Sequence, residues 1–297
     1  MTSEKNSFHA YHPIVNLVYF VAVIGFSMTQ MHPLLLSSSL LCAFLCALTT
    51  CRKKSVLTAL YLCIPMALMA AILNPLFNHE GKTLLAHLPW GAPVTLESVL
   101  YGLFSAFMIC AVILWFVTFN AVMTSDKIIY LFGKILPSFS LLISMTLRFI
   151  PRFKQKINEI SLAEKSLNGE SVGFLPRLKT ATKILSVAVT WSLEGALDTA
   201  DAMKCRAYGT KKRSTFSICK FRRSDAYTLL FIVACSVYTL AGIISGEAEL
   251  SYFPTISIQS VTPYSASVLA VYTLLCLTPV ILKLYEDLKW KSLYSKI

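Results

Sequence analysis

The chain has 297 residues, 56% of them hydrophobic and only 14% charged, with a mean hydropathy of +0.64 and a net charge of +12. A soluble domain averages about 45–50% apolar and about 25% charged, which argues against a water-soluble enzyme, against disorder and, with 9 cysteines scattered without pattern, against a disulfide scaffold. What remains is an all-α, polytopic helical membrane protein.

Uncharged runs set the expected spans in chain order. Between Lys5 and Arg52 there is no Asp, Glu, Lys or Arg, a run of 46 residues broken near its middle by Pro33. Each half is long enough for one crossing, which needs roughly 20 apolar residues. Further uncharged runs cover Ser55–His79, Ser98–Ser125, Ala226–Gly246 and Leu250–Leu282. Because only a helix satisfies its own backbone in lipid, these runs predict six spans, at about 14–31, 33–50, 56–73, 99–122, 226–245 and 265–283. The first run has no small-residue cleavage site after it, so it is expected to be retained as a span.

Lys and Arg in short loops mark the cytoplasmic side. Arg52, Lys53 and Lys54 place the loop after the second span there. The connections 74–98 and 246–264 are net negative and fall on the opposite side. The tail after Leu282, with four lysines, falls inside, so both termini are expected in the cytoplasm.

Residues 123–225 hold 18 of the 27 Lys and Arg and 8 of the 15 acids, a net of +10. Basic juxtamembrane segments attract anionic headgroups, yet this block also has its own helical pattern. Ile128, Ile129, Leu131, Phe132 and Ile135 form a stripe within Asp126–Leu136, ended by Pro137. Ser138–Leu147 is apolar but too short to cross, and continues through Arg148, Pro151 and Arg152 toward Asn168-Gly169, a good helix stop. A second long helix is expected from Pro176, a favoured first-turn position, to about Tyr208, with Gly209 as its stop. The organisation expected is a bundle of four spans over 1–122, a basic cytoplasmic coupling region over 123–225, and a closing pair of spans with a tail over 226–297.

No GxxxxGK[ST] loop occurs, which argues against ATP hydrolysis by the chain itself. The histidines at 9, 12, 32, 79 and 87 have no metal-ligand spacing, His9 and His12 being expected as simple polar residues near a flexible end. Cys42 and Cys46 are expected to be small core residues, and Gly242 with Gly246 forms one GxxxG, a candidate helix-packing notch. No catalytic, cofactor-binding or metal-ligating residue is assigned and no nucleic-acid partner is expected. One constellation suggests catalysis. Glu194, Asp198 and Asp201 share a helical face, as carboxylates do in metal-dependent membrane prenyl transferases, but Lys204 and Arg206 balance them and the spans offer no second cluster. A self-contained channel or carrier is a third class, weakened by spans nearly free of ionisable groups.

Leu147-Arg148-Phe149-Ile150-Pro151 before a charged helix, and Ala202-Met203-Lys204-Cys205-Arg206-Ala207-Tyr208-Gly209 at the end of a long one, resemble the transmembrane T component of energy-coupling factor (ECF) transporters, the EcfT/CbiQ-like family. The specific part of the resemblance lies within about 145–210. It implies a non-catalytic scaffold in which two coupling helices, crossed in an X, each end in a three-residue motif centred on arginine. Each motif docks on one of two ABC-type ATPase subunits, or on one half of a fused pair. The second motif matches Cys205, Arg206 and Ala207, with Lys204, Tyr208 and Gly209 beside it and Arg148 and Pro151 in the supporting region. The first motif departs from the pattern: Ser166, Leu167 and Asn168 stand where Ala-Arg-Gly is usual, leaving Leu167 to dock by apolar contact or the two ATPase contacts to be unequal. A small substrate-binding membrane S component would carry the vitamin or metal ion, and the setting implied is a bacterial or archaeal cell membrane.

Overall fold

The computed structural model describes residues 7–51, 53–78, 81–87, 93–133, 136–169, 173–209, 221–246 and 262–294. A short 3-10 turn, Ser7–Ala10, precedes α1 (Pro13–Thr29), α2 (Pro33–Thr50) and α3 (Lys53–Phe77). A two-stranded antiparallel hairpin, β1 (Leu84–His87) and β2 (Pro93–Thr95), leads into α4 (Leu96–Val122). Then follow α5 (Ser125–Gly133), α6 (Pro137–Asn168), α7 (Phe174–Cys205), α8 (Arg223–Ile244) and α9 (Pro263–Tyr294). Backbone packing divides the chain into one unit of residues 1–127 with 219–297 and a second of residues 128–218.

Five described helices, α2, α3, α4, α8 and α9, are long and apolar enough to cross a membrane, and α1 is a shorter apolar helix of 17 residues. At 1.5 Å per residue α1 is about 25 Å long, the short end of what spans a bilayer. Several helices outrun their apolar runs. Where 265–283 was expected, α9 continues to Tyr294 through Lys283, Glu286, Asp287 and Lys289. Hydropathy marks where lipid ends, whereas a helix stops only where its backbone or capping changes. By the same token α5 ends at Gly133, short of Leu136, and the second long helix runs Phe174–Cys205 rather than Pro176–Tyr208. Pro176 still occupies its first turn.

In the bundle, α1, α2, α4 and α9 meet around an aromatic core. Tyr19 and Phe20 of α1 pack edge to face with each other at 5.2 Å and with Trp115 of α4 at 6.2 and 6.5 Å. Hydroxyls lock these helices together. Trp115 Nε1 donates to Ser39 Oγ at 3.2 Å, and Ser39 pairs with Ser27 Oγ at 2.9 Å. Ser27 reaches Tyr272 Oη at 3.2 Å, and Tyr19 donates to the Cys276 carbonyl at 3.0 Å. With no water competing in lipid, such bonds hold helices in place, each worth about 0.6–2 kcal/mol. Asn16 and His32 Nδ1 are buried polar groups without a partner.

Small residues let other helix pairs approach closely. A Cβ on Gly102 of α4 would sit 3.1 Å from the Ala71 carbonyl of α3. Farther along, Cys63 Sγ contacts the Cys110 carbonyl and Cys110 Sγ the Cys63 carbonyl, both at 3.9 Å. Gly242 of α8 lies against Val268 of α9 with no room for a side chain. Gly246, its expected GxxxG partner, instead lies past the end of α8 at φ +76°, where its N–H bonds the Ile243 carbonyl. It is a helix stop, not a notch.

Helix ends are closed by charge of the appropriate sign. Lys283 Nζ donates to the Thr49 carbonyl at the end of α2 (2.6 Å), and Lys127 Nζ to the Val122 carbonyl at the end of α4 (3.0 Å). At the start of α8, Asp225 accepts from the Arg222 N–H at 2.8 Å. Cations at C-termini and carboxylates at N-termini match the helix dipole. Glu97, in the first turn of α4, accepts from the Thr83 hydroxyl at 2.6 Å and so ties the β-hairpin down. His12, expected as a simple polar residue near a flexible end, is buried as the N-cap of α1. Its Nδ1 accepts from Ile14 N and its ring meets Phe221 edge to face. Burial, with the Glu286 and Asp225 carboxylates nearby, pushes the neighbouring Tyr11 phenol above its usual range.

Candidate partner-docking site

The second unit is organised by an antiparallel pair, α6 and α7. Phe149 and Phe153, one turn apart on α6, stack at 5.5 Å, and Phe149 stacks on Trp191 of α7 at 6.0 Å. Lys156 Nζ lies 5.7 Å from the Trp191 ring centre, a cation–π contact. Moving forward along α6 to Glu164 means moving back along α7 to Lys183, and these two pair at 3.5 Å. Ala188, between these contacts, is fully buried on α7. At its other end α6 touches α5, where Ser140 Oγ donates to the Ile129 carbonyl at 3.0 Å.

This register sends the two helix ends carrying the expected motifs in opposite directions. Ser166, Leu167 and Asn168 close α6, while Cys205, Arg206 and Ala207 close α7. At 1.5 Å per residue the contacts that set the register put them roughly 40–50 Å apart along the pair. The structure therefore does not bring them into one site; it makes two.

At the α6 end, Gly169 at φ +71° stops the helix and its N–H bonds the Lys165 carbonyl at 3.0 Å. Ser166 Oγ bonds back to the Leu162 carbonyl, and Asn168 Nδ2 to Glu164 Oε1 at 2.8 Å. Both polar members of the triplet are thus turned onto their own helix. Leu167 between them is 81% exposed. Phe174 (81%) and Leu175 (76%), which open α7, are equally bare.

The α7 end is polar. Arg206 is the C-cap residue, its N–H bonded to the Ala202 carbonyl. Tyr208 N bonds the Met203 carbonyl at 3.0 Å and Ala207 N the Lys204 carbonyl at 2.9 Å. This is the double closure of a Schellman cap, and it places Ala207 at φ +56°, a conformation usually left to glycine. Gly209 follows at φ +97°. The cap fixes the backbone beneath the Arg206 side chain while Cys205, Arg206, Ala207, Tyr208 and Gly209 all stay exposed. Lys204 pairs with Asp201 at 3.1 Å.

Arg148 and Pro151 lie exposed on the first half of α6, in the region of the Phe149 stack. Glu194, Asp198 and Asp201 lie on exposed positions of α7. Among the described residues no group of three or more His, Cys, Asp or Glu is placed to hold a metal ion. Phe174 and Leu175 went unnoticed in the sequence because they precede Pro176, the residue taken to open the helix. Two adjacent large apolar residues in a basic stretch were the available signal.

Curated proteins give no match to this chain. The cobalt transport protein family, CbiQ, matches it over residues 4–217. The match takes in the first four spans and both long helices with their exposed ends, in agreement with the resemblance carried by residues 145–210. The chain belongs to the CbiQ cobalt transport family and is a membrane component of a transporter.

Proposed function

We propose that this chain is the transmembrane scaffold of an ECF-type importer. It would couple ATP hydrolysis by two partner ATPases to reorientation of a separate substrate-binding membrane subunit for vitamin or metal-ion uptake. Both termini, and the coupling region within 123–225, then face the cytoplasm, and the remaining segments, 1–122 and 226–297, form the membrane bundle. The observation that carries this reading is the α7 end: a guanidinium held out on a backbone closed by two hydrogen bonds, at the far end of a braced helix pair from a second exposed tip. Arginine suits such a role because its planar fork pairs with a carboxylate through two charge-assisted bonds. A rigid pair whose helices are each about 48 Å long transmits displacement from one end to the other, because packed helices move as bodies.

The test is co-purification from mild detergent. Arg206→Glu replaces an attractive pair with a repulsive one, and losing one partner of such a pair costs about 2–5 kcal/mol where docking buries it. ATPase recovery is expected to fall at least ~tenfold, with membrane insertion and elution volume unchanged. Full recovery of the ATPases with this variant counts against the docking role.

A further inference from the structure

The row of side chains that α9 turns outward does not stop where the charges begin. Ala270, Leu274, Leu277, Ile281, Leu284 and Leu288 follow one another at steps of four and three residues, which keeps them on one side of the helix. All but the half-buried Leu277 are exposed, while Leu275, Cys276 and Pro279 are buried on the side that faces the bundle. Lys283, bonded to the Thr49 carbonyl at the end of α2, marks the level at which the span ends. The remaining turns, Leu284–Tyr294, carry α9 about 16 Å past it. At 100° per residue, Lys289 and Lys291 flank the row on its two sides, and both are exposed. Glu286 falls on the opposite side, beside Tyr11, which follows the 3-10 turn packed on α9. Trp290 is exposed on that opposite side too.

We propose that these last turns of α9 rest on the lipid surface, with Leu284 and Leu288 in the headgroup boundary and Lys289 and Lys291 on the phosphates of anionic lipids. The occupant follows from continuity: Leu274 and Ile281 belong to the span, and the same row runs on without a break to Leu288. The whole helix is about 48 Å long, more than the roughly 40–45 Å of a bilayer with its headgroups. A lean of about 30°, within the usual range of tilt, shortens its reach to about 42 Å and lays the row against the surface. Pro279 favours that direction. Its ring, on the buried side, pushes on the carbonyl four residues back and opens the helix there, so the helix leans toward the outward row. Lysines flanking an apolar row suit a helix that lies in the headgroup layer and is drawn to anionic lipid. The inference rests on the cytoplasmic placement of this end given with the proposed function, since that leaflet is the anionic one, and not on ATPase docking.

The experiment uses the full chain in vesicles of phosphatidylcholine with about 30% phosphatidylglycerol, anionic on both leaflets so that the direction of insertion does not matter. A photo-cross-linking residue replaces Leu288 or, on the opposite side of the helix, Trp290, and captured lipid is identified by mass. The probe at Leu288 is expected to capture about fivefold more lipid than the probe at Trp290, with phosphatidylglycerol about twofold over its share. Lys289→Gln together with Lys291→Gln should return phosphatidylglycerol to its share. Leu284→Asp should cut lipid capture at Leu288 severalfold and Leu284→Met should retain it, with the elution volume in mild detergent unchanged in both. Equal capture at the two positions, no effect of Leu284→Asp, or no excess of phosphatidylglycerol overturns the inference. So does capture of an ATPase in place of lipid at Leu288 once the partner subunits are added. Lipid capture is read without any ATPase, so its failure strikes this inference alone, and failure of ATPase co-purification strikes the scaffold reading alone.

Discussion

Ala207 sits in the left-handed region at the C′ position of α7, where a Cβ crowds the following carbonyl and costs about 1–2 kcal/mol. The Schellman closure holds it there because two otherwise orphaned carbonyls, of Met203 and Lys204, gain donors. Ala207→Gly removes the crowding at the expense of some unfolded-chain entropy, a net gain of about 1 kcal/mol for the helix end. Amide exchange at Ala207 and Tyr208 should slow about fivefold, with ATPase recovery preserved. Faster exchange would mean that the closure is not the cap of this helix. At this scale the sequence was partly legible. Gly169 was readable as a stop because Asn-Gly tolerates positive φ. Gly246 was misread because spacing alone cannot separate a packing notch from a cap, and Ala207 gave no local sign. His12 looked like flexible-end polarity, yet a buried N-cap is the role its side chain performs.

The elements of the bundle are held in register by small side chains. Ala59, Cys63, Ala67 and Ala71 recur every fourth residue on α3, and Gly102, Ala106 and Cys110 do the same on α4. Run antiparallel, the two rows bring Gly102 to Ala71 and Cys63 to Cys110, as the backbone contacts at both places require. This close approach is a small-residue packing seam of the kind that joins helices in lipid. A disulfide needs Cβ atoms about 3.5–4.5 Å apart, and a slip of one helical turn would add about 5.4 Å. Treatment with copper–phenanthroline should join Cys63 to Cys110, visible as two fragments that stay linked without reductant after cleavage in the 79–92 connection. Cys63→Ser should abolish the link. Failure of the unmutated pair to join would mean a different register. The spans were legible because charge-free runs have one solution in a bilayer. This seam was written in the sequence too, but four-residue spacing names a face without naming the partner face. The β-hairpin went unseen since its strands, Leu84–His87 and Pro93–Thr95, are too short to carry an alternating pattern.

Across the whole molecule, polar groups are distributed in two ways. In the bundle the aromatic core of Tyr19, Phe20 and Trp115 fills the space between α1 and α4, and the Ser27, Ser39, Tyr272 and Trp115 groups bond one another. Glu97, Asp225 and Lys283 all serve to close helix ends or connections. A solute path needs ionisable or polar groups free to replace a solute's hydration along the bilayer, and apart from Asn16 and His32 Nδ1 the groups named here are already occupied with structure. The α6–α7 pair is the reverse, its inner face pinned by Trp191, Lys156 and the Glu164–Lys183 pair while Leu178, Leu185, Leu193 and Leu197 stay exposed on α7. The scaffold role proposed above expects a bundle whose polar groups serve packing and a braced helix pair with exposed apolar positions. Liposomes holding this chain alone should therefore take up cobalt ions or a radiolabelled vitamin no faster than empty ones. Uptake should appear when the ATPases and a substrate-binding membrane subunit are added, and it should require ATP. Saturable uptake by the chain alone would place the solute path inside this bundle, and the groups assigned here to packing would have to line it.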